Sequence, residues 1–265
     1  MGLGRRIVTR SGRWSVAPTT EPRDLVDLLE RLHPVMADQV LRRLGPSGDG
    51  GYLVPDDLEG IAACFSPGVG AISGFELDCI GLGMRAHLAD ASVTSSPVTR
   101  EELDFLPKYI RGVHDSESIT LSEWVDSLEP EDSGDLLLQI DIEGDEWGVF
   151  LTAPRSVLQR FRIIVVEFHR LERFFDANAF PLLAMTFEKL LETHVCVHIH
   201  PNNCRRPETV RGIELAPVSE FTFLRRDRLD AERAAFASQF PHPLDQECTT
   251  RFEPSVLPKS MYRSH

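Results

Sequence analysis

The chain has 265 residues, of which 42% are hydrophobic and 26% charged, and its formal net charge is −13 at pH 7. This length and composition predict a globular protein with one large α/β domain or two small ones. An acidic chain without a basic stripe is a poor binder of nucleic acid, and no apolar run approaches the ~18–20 residues that span a membrane. We therefore expect neither nucleic acid nor a membrane as a partner.

The cysteines and the N-terminal residues indicate the compartment. The five cysteines are odd in number and widely spaced, which predicts neither a disulfide framework nor a CxxC metal pair. The arginines within residues 5–13 are followed by no apolar stretch, which argues against a secretory signal. We expect a cytoplasmic protein. The sequence leaves its oligomeric state open.

The first predicted elements precede a regular alternation of strands and helices. Residues 1–22 are rich in Arg, Thr and Pro and are predicted to be loose. Apolar residues recur with helical spacing over residues 24–44, and Pro34 predicts a kink or a break into two helices there. The stretch 45–52 (GPSGDGGY) is rich in turn-forming residues and is either a plain hairpin or loop or a segment that shapes the acceptor pocket.

The rest of the chain alternates between strand and helix patterns. Strand-like runs lie at residues 61–65, 84–88, 109–113, 136–143, 163–169, 195–200 and 220–224, and helix-like runs at 75–82, 121–128, 149–159 and 180–193. Such alternation predicts a doubly wound parallel sheet within a single domain at residues 23–240. The Pro-rich residues 241–265 lack periodicity and are predicted to form a tail packed on the surface.

Three of the strand-like runs end in polar residues spaced two apart, which form the pairs Asp141/Glu143, Glu167/His169 and His198/His200. Side chains alternate along a strand, so each pair is predicted to point to one face of the sheet. The apolar bodies of these runs are typical of buried parallel strands, and ligands bind beyond the carboxyl ends of such strands. We therefore predict a reaction site at the carboxyl edge of the sheet.

A glycine-containing turn after the strand-like run at residues 61–65 is typical of a nucleotide site. Ser66, Gly68 and Gly70 form this turn, and Asp90 follows at the end of the next strand. Glycines let the backbone approach a ligand, and the acid accepts hydrogen bonds from ribose hydroxyls. A dinucleotide site would need a third glycine where Ser73 stands, and a phosphate-binding P-loop is absent. The pattern fits S-adenosylmethionine better than NAD or ATP, and a mere tight turn is the alternative.

Longer stretches of the chain resemble a known family. The stretches are CFSPGVGAISGFELDCIGLGMRAHLADASV, LLLQIDIEGDEW, VVEFH and HIHPNN, together with RLGPSGDGGYLVPDDL upstream and PHPLD downstream. They resemble the FkbM-like class of S-adenosylmethionine-dependent methyltransferases over residues 43–257. The resemblance implies the Rossmann-like class I methyltransferase fold. That fold is α/β, with a seven-stranded, mostly parallel sheet, one antiparallel strand near its edge, and helices on both faces.

The same resemblance implies roles for several residues. Ser66, Gly68 and Gly70 would line the methionine end of S-adenosylmethionine, Asp90 would bind the ribose, and Asp141 would lie beside the transferred methyl group. Many members of the family act on hydroxyls of sugars or small metabolites, so a small-molecule acceptor is expected. The chain differs from the usual Phe-Asp-Pro around Asp90, where it has alanine on both sides. Asp115, with His114 before it, falls where an adenine contact is expected.

Methyl transfer to a hydroxyl requires removal of a proton, and a base in hydrogen-bond reach accelerates such a step ~10²–10⁴-fold. His169 is the predicted base because imidazole titrates near neutrality, and Glu167 could orient it. Asp141 and Glu143 would hold acceptor hydroxyls or the ammonium group of the cofactor. Alternatively, Asp141, Glu167 and His169 could bind a divalent metal ion that lowers the pKa of the hydroxyl.

Other interpretations of these residues stay open. Asp141 and Glu143 could cap the following helix, and Glu167 with His169 could be a structural pair. His198, His200 and Asn202 could contact the acceptor or anchor a loop, since a turn sequence follows them. At the level of function, the leading hypothesis is an O-methyltransferase that acts on a sugar or a glycosylated metabolite. A metal-dependent hydrolase, whose glycine turn holds a phosphate, and a non-catalytic nucleotide-binding module are the alternatives.

Overall fold

The computed structural model of the protein describes residues 17–70, 73–128, 134–230 and 234–263. Most of the predicted loose segment 1–22, including its arginines, lies outside the described residues. The helices are α1 (Pro22–Leu32), α2 (Gly74–Gly81), α3 (Leu121–Leu128), α4 (Glu146–Thr152), α5 (Arg155–Leu158) and α6 (Phe180–Thr193), with 3-10 turns at Leu171–Phe175, Arg226–Arg228 and Lys259–Met261. The strands are β1 (Leu41–Leu44), β2 (Tyr52–Pro55), β3 (Ile61–Pro67), β4 (Arg85–Ala89), β5 (Leu103–Leu106), β6 (Tyr109–Ile110), β7 (Ser118–Ile119), β8 (Asp135–Ile140), β9 (Phe161–His169), β10 (His194–Pro201), β11 (Glu208–Val210), β12 (Ile213–Leu215) and β13 (Val218–Arg225).

A seven-stranded sheet forms the centre of the molecule, in the order β10-β13-β9-β8-β3-β4-β5. Strand β13 runs antiparallel to both of its neighbours, and the other pairings are parallel. The predicted α/β fold, with one antiparallel strand near the edge of the sheet, is confirmed. Strands β4 and β5 lie on one side of β3, whereas β8 and β9 lie on the other. The crevice beyond the carboxyl ends of β3 and β8 is therefore the expected ligand site.

Two apolar cores cover the two faces of this sheet, as the predicted fold requires. The larger core packs α1, α3, α4, α5 and α6 against residues such as Phe65 and Phe168. The smaller core packs α2 and the β1–β2 hairpin against the other face through Phe75, Tyr52 and Ile163. Within the described ranges, no helix is long and apolar enough to cross a membrane.

The segment around Pro34 differs from its prediction. Helix α1 ends at Leu32, and residues 41–44 form a strand rather than a second helix. This strand pairs antiparallel with β2, so that Leu44 lies opposite Tyr52 and residues 45–51 form the hairpin loop. Proline disfavours a helix through the residue before it, and the tertiary pairing with β2 then decides the conformation. The turn-rich stretch is thus the loop of a hairpin.

Three other predicted elements differ in kind or extent from their predictions. The strand predicted at 109–113 is reduced to the two residues of β6, and β5 takes its place at the edge of the sheet. The helix predicted at 149–159 is split in two, since Pro154 cannot continue α4. The strand predicted at 136–143 stops at Ile140, because the chain turns at Glu143, whose φ is +59°.

The C-terminal segment does more than cover the surface. Leu257 and Met261 are buried and belong to the larger core. Asn203 binds the backbone of Thr249 in both directions, through bonds of 2.8 and 3.2 Å. The tail is thus an integral part of the domain, which the absence of periodicity did not indicate.

Candidate active site

The turn after β3 lies directly against the end of β8. Gly68 has a φ of +93°, and a Cβ atom added there would overlap the carbonyl oxygen of Asp141. Only glycine can combine this conformation with so close an approach. Two cavities open at this junction, one of about 200 Å³ and one of about 610 Å³, and Gly68, Gly70 and Asp141 line both of them.

Asp90 lies on the larger cavity in a fixed orientation. Its carboxylate accepts hydrogen bonds from the backbone N–H groups of Val69 (2.9 Å) and Ser92 (2.6 Å). The first bond ties the acid to the glycine turn. The structure therefore brings Gly68, Gly70, Asp90 and Asp141 together around one crevice, as the sequence predicts.

Two other residues predicted to bind the cofactor lie elsewhere. Ser66 is buried and contacts Glu76 and Gln139, which line the smaller cavity while Ser66 does not. It therefore supports the site from behind. Asp115 is exposed and accepts hydrogen bonds from the backbone N–H groups of Glu117 and Ser118, both at 2.8 Å. It shapes its own turn and lines neither cavity.

His169 lies at the end of β9 among four carboxylates. Its Nδ1 is 3.2 Å from Oε1 of Glu146. Its Nε2 faces Oε1 of Glu167 at 3.5 Å, Oε2 of Glu143 at 3.6 Å and Oδ1 of Asp141 at 3.9 Å. The predicted convergence of Asp141, Glu167 and His169 is therefore present. Their possible ligand atoms all lie within 4.8 Å of one another, which is close enough for a shared metal ion.

The capping interpretation of the acidic residues after β8 is wrong. Within the described residues, neither Asp141 nor Glu143 accepts a hydrogen bond from the start of α4. Asp141 faces the crevice, and the side chain of Glu143 is 89% exposed at the rim of the larger cavity. Because β8 ends before both residues, they do not share a sheet face by strand alternation.

Glu146 belongs to this site, although the sequence analysis gave it no role. It is the first residue of α4 and is fully buried. Its Oε1 accepts hydrogen bonds from the N–H groups of Ile142 (2.9 Å) and Gly144 (3.2 Å) as well as facing His169. The sequence signal that could have indicated this role is a glutamate in the first turn of a helix that follows an acidic turn.

Burial and mutual repulsion change the proton affinities of the cluster. Burial raises the pKa of Asp141 to about 7, and the charges of Glu146 and Glu143 act in the same direction, whereas His169 opposes it. Burial, then the charges of Asp141 and Glu220, raises the pKa of Glu167 well above its usual range. Burial lowers the pKa of His169, but its hydrogen bond to Glu146 and the surrounding negative charges outweigh this, so its pKa is raised. Asp141, with a pKa of about 7, therefore exchanges its proton near neutral pH.

A row of ionisable residues extends from the cluster across the sheet. Glu167 pairs across strands with Glu220, which in turn pairs with His200. An irregularity between Cys196 and His198 shifts the register of β10 and so turns His200 to the face of Glu220. Burial raises the pKa of Glu220 to about 7. Glu220 also lies within 4.8 Å of Glu167 and Cys248.

The second histidine pair holds the C-terminal segment. His198 Nε2 is 2.8 Å from Oδ1 of Asp245, and His200 Nδ1 is 3.5 Å from Oδ2 of the same carboxylate. Both histidines are buried and line neither cavity of the crevice, so the structure favours anchoring over acceptor contact. Asn202 donates to Oε1 of Glu167 at 3.2 Å and thus supports the cluster.

Comparison with a family model gives a match within the chain. Residues 77–193 match the model of the methyltransferase FkbM domain. The chain carries an FkbM methyltransferase domain. The matched residues extend from α2 to the end of α6 and include Asp90, Asp141 and His169. The prediction of an FkbM-like family is confirmed for this part of the chain, and the match supports a methyltransferase.

One solved structure with similarity to the chain is the crystal structure of EvdMO1, with 13% sequence identity and a TM-score of 0.26. The alignment covers 78% of this chain and 48% of that chain, so this chain spans about half the length of its counterpart. None of the curated proteins matches the chain.

Proposed function

We propose that the protein is an S-adenosylmethionine-dependent O-methyltransferase that acts on a hydroxyl of a small molecule, a sugar or a glycosylated metabolite. The observation that carries this proposal is the crevice between β3 and β8, where a glycine turn and two acids meet next to an imidazole. The composition further supports a cytoplasmic enzyme with neither nucleic acid nor a membrane as its partner.

The residues around the crevice fit S-adenosylmethionine. Gly68 and Gly70 leave the backbone open to a ligand, because a side chain at Gly68 would fill the space against Asp141. The carboxylate of Asp90, oriented by Val69 and Ser92, suits a pair of ribose hydroxyls. When bound, S-adenosylmethionine supplies a methyl group activated by a sulfonium. Asp141, partly buried at the junction of the two cavities, would lie beside this positive charge.

His169 is the candidate general base for the acceptor hydroxyl. Its Nε2 faces Asp141 and Glu143, which line the crevice, so an acceptor held by these two acids would lie close to the imidazole. Removal of the hydroxyl proton by such a base accelerates the reaction ~10²–10⁴-fold. Glu167, fixed by Asn202, faces the same nitrogen at 3.5 Å, and Glu146 holds the ring on its other side through Nδ1.

A divalent metal ion at Asp141, Glu167 and His169 is a second way to activate the hydroxyl. The favouring observation is the approach of all three ligand groups within 4.8 Å. Two carboxylates and an imidazole suit Mg²⁺, Mn²⁺ or a softer divalent ion. A chelator would abolish methyl transfer in this case and leave it unchanged if His169 acts alone.

Calorimetric titration of the purified protein with S-adenosylmethionine and S-adenosylhomocysteine tests the proposal first. We expect micromolar binding that Asp90→Ala abolishes and that Asp115→Ala, a matched exposed acid outside the crevice, preserves. Absence of binding to the folded wild-type protein would refute the proposal.

Methyl transfer from labelled S-adenosylmethionine to a panel of sugars and glycosides then separates an enzyme from a binding module. We expect His169→Ala to retain cofactor binding and lose transfer. Equal transfer by this variant and the wild type would exclude His169 as the base.

A further inference from the structure

One buried carboxylate oxygen organises the whole end of β8 and β9. Glu146 is fully buried, and its Oε1 receives the N–H groups of Ile142 and Gly144 together with Nδ1 of His169. Burial of a carboxylate is costly unless it is hydrogen-bonded, and the three partners of Oε1 offset part of that cost. Oε2 of Glu146 has no hydrogen-bond partner in the part of the chain that the structure describes.

The chemistry of this contact decides which nitrogen of His169 is free. A carboxylate oxygen only accepts, so Nδ1 of the imidazole must donate its hydrogen to Glu146. In the neutral ring the other nitrogen, Nε2, then carries the lone pair. This nitrogen faces Glu167, Glu143 and Asp141. The side of the ring that can take a proton is therefore directed towards the crevice.

The same oxygen also fixes the turn that bears the acids. Glu143 and Gly144 have φ values of +59° and +112°, so the chain reverses sharply between Asp141 and α4. The N–H groups of Ile142 and Gly144, which flank Glu143, donate to Oε1 of Glu146. The imidazole and the acidic turn thus share one point of attachment, and their relative position depends on it.

We propose that Glu146 is a positioning residue that holds His169 in the tautomer with a free Nε2 and sets the Asp141–Glu143 turn against it. It acts on the substrate only through these neighbours. The inference rests on the proposed function in one respect, since the free Nε2 matters for catalysis only if the site transfers a methyl group to a hydroxyl.

The tautomer can be observed directly, without an acceptor. Long-range ¹H–¹⁵N correlation spectra of the full chain, labelled at histidine and recorded at alkaline pH, distinguish a protonated Nδ1 from a protonated Nε2. We expect His169 to carry its hydrogen on Nδ1. His194 is an internal reference for the other tautomer. Its Nε2 lies 2.8 Å from the carbonyl oxygen of Phe161 and must donate its hydrogen to it.

Three variants complete the test. Glu146→Met removes the acceptor and is expected to transfer the hydrogen of His169 at least partly to Nε2, whereas Glu146→Gln keeps an acceptor oxygen and the Nδ1–H form. Glu143→Gln changes an exposed acid near the same ring and should leave the tautomer unaltered. In methyl transfer, Glu146→Met should lower kcat on the order of 10²-fold or more, with the KM for S-adenosylmethionine little changed and with partial recovery in Glu146→Gln.

The outcomes separate this inference from the proposed function. A wild-type His169 protonated on Nε2 would overturn the inference, and so would a Glu146→Met protein in which the tautomer is unchanged. If Glu146→Met does not fold, the wild-type and Glu146→Gln spectra still decide. Failure to bind S-adenosylmethionine would instead remove the proposed function and leave the tautomer result standing.

Discussion

Replacing Gly68 by alanine perturbs the closest approach between β3 and β8. The new methyl group would overlap the carbonyl oxygen of Asp141 and lie 3.0 Å from its carbonyl carbon. A left-handed conformation costs a non-glycine residue about 1–2 kcal/mol. Relieving the overlap by moving backbone adds about 1–3 kcal/mol, as overpacking does elsewhere. We therefore expect the free energy of unfolding to fall by about 2–5 kcal/mol.

Gly83 provides a matched control for this substitution. Its φ is +92°, almost the same as at Gly68, but a Cβ atom there would meet nothing within 4 Å. The free energy of unfolding of Gly83→Ala should therefore fall only by the cost of the left-handed conformation, about 1–2 kcal/mol. The difference in unfolding free energy between the two variants therefore measures the cost of the contact with Asp141.

Urea denaturation measures both free energies, and calorimetry measures binding of S-adenosylmethionine to each folded variant. We expect Gly68→Ala to lose binding because the displaced Asp141 and the added methyl group both intrude on the crevice. Gly83→Ala should bind like the wild type. Equal unfolding free energies for the two variants, or unchanged binding in Gly68→Ala, would refute the reasoning.

The remaining predictions concern stability away from the crevice. Arg162 is buried and contacts Asp57 and Asp135, so Arg162→Met should lower the unfolding free energy by about 3 kcal/mol, whereas the exposed Arg31→Met should change it by about 0.5 kcal/mol or less in urea denaturation. His194 is fully buried, and burial is the main cause that lowers its pKa to about 4. Since the unfolded chain binds this proton near pH 6.5, His194 should reduce the unfolding free energy by about 3 kcal/mol as the pH falls from 6.5 to 4. The stability difference between wild type and His194→Gln should therefore change with pH over that window, and a constant difference would contradict the assignment.

Much of the fold was accessible from local patterns. Helices α3 and α6 have the predicted bounds, and all strands of the central sheet except β5 occupy the apolar runs that predicted them. Periodicity is encoded within a few consecutive residues, so no knowledge of distant partners is needed. Strand β5 was missed because its four residues are only half-buried at the edge of the sheet and carry no strong pattern.

The residues of the candidate site also divide into those with a local sequence signal and those that depend on distant partners. Gly68, Asp90 and His169 were predicted because glycine turns and strand-end polar residues are local signals. The contribution of Glu146 was not predicted, since its function depends on His169, 23 residues further along the chain. Glu220 was missed for a similar reason, because it joins the cluster only through its pairing with Glu167 across the sheet.

The sequence by itself determined the class of fold and the resemblance to the FkbM family, and it predicted the carboxyl edge of the sheet as the location of the site. Only the tertiary structure decided which polar residues meet there. It placed Ser66 behind the crevice and Asp115 away from it, and it assigned the second histidine pair to Asp245 on the tail. The physical reason is that side-chain alternation fixes a face within one strand. The neighbours on that face depend on register, irregularities and distant segments, and these are set by packing of the whole chain.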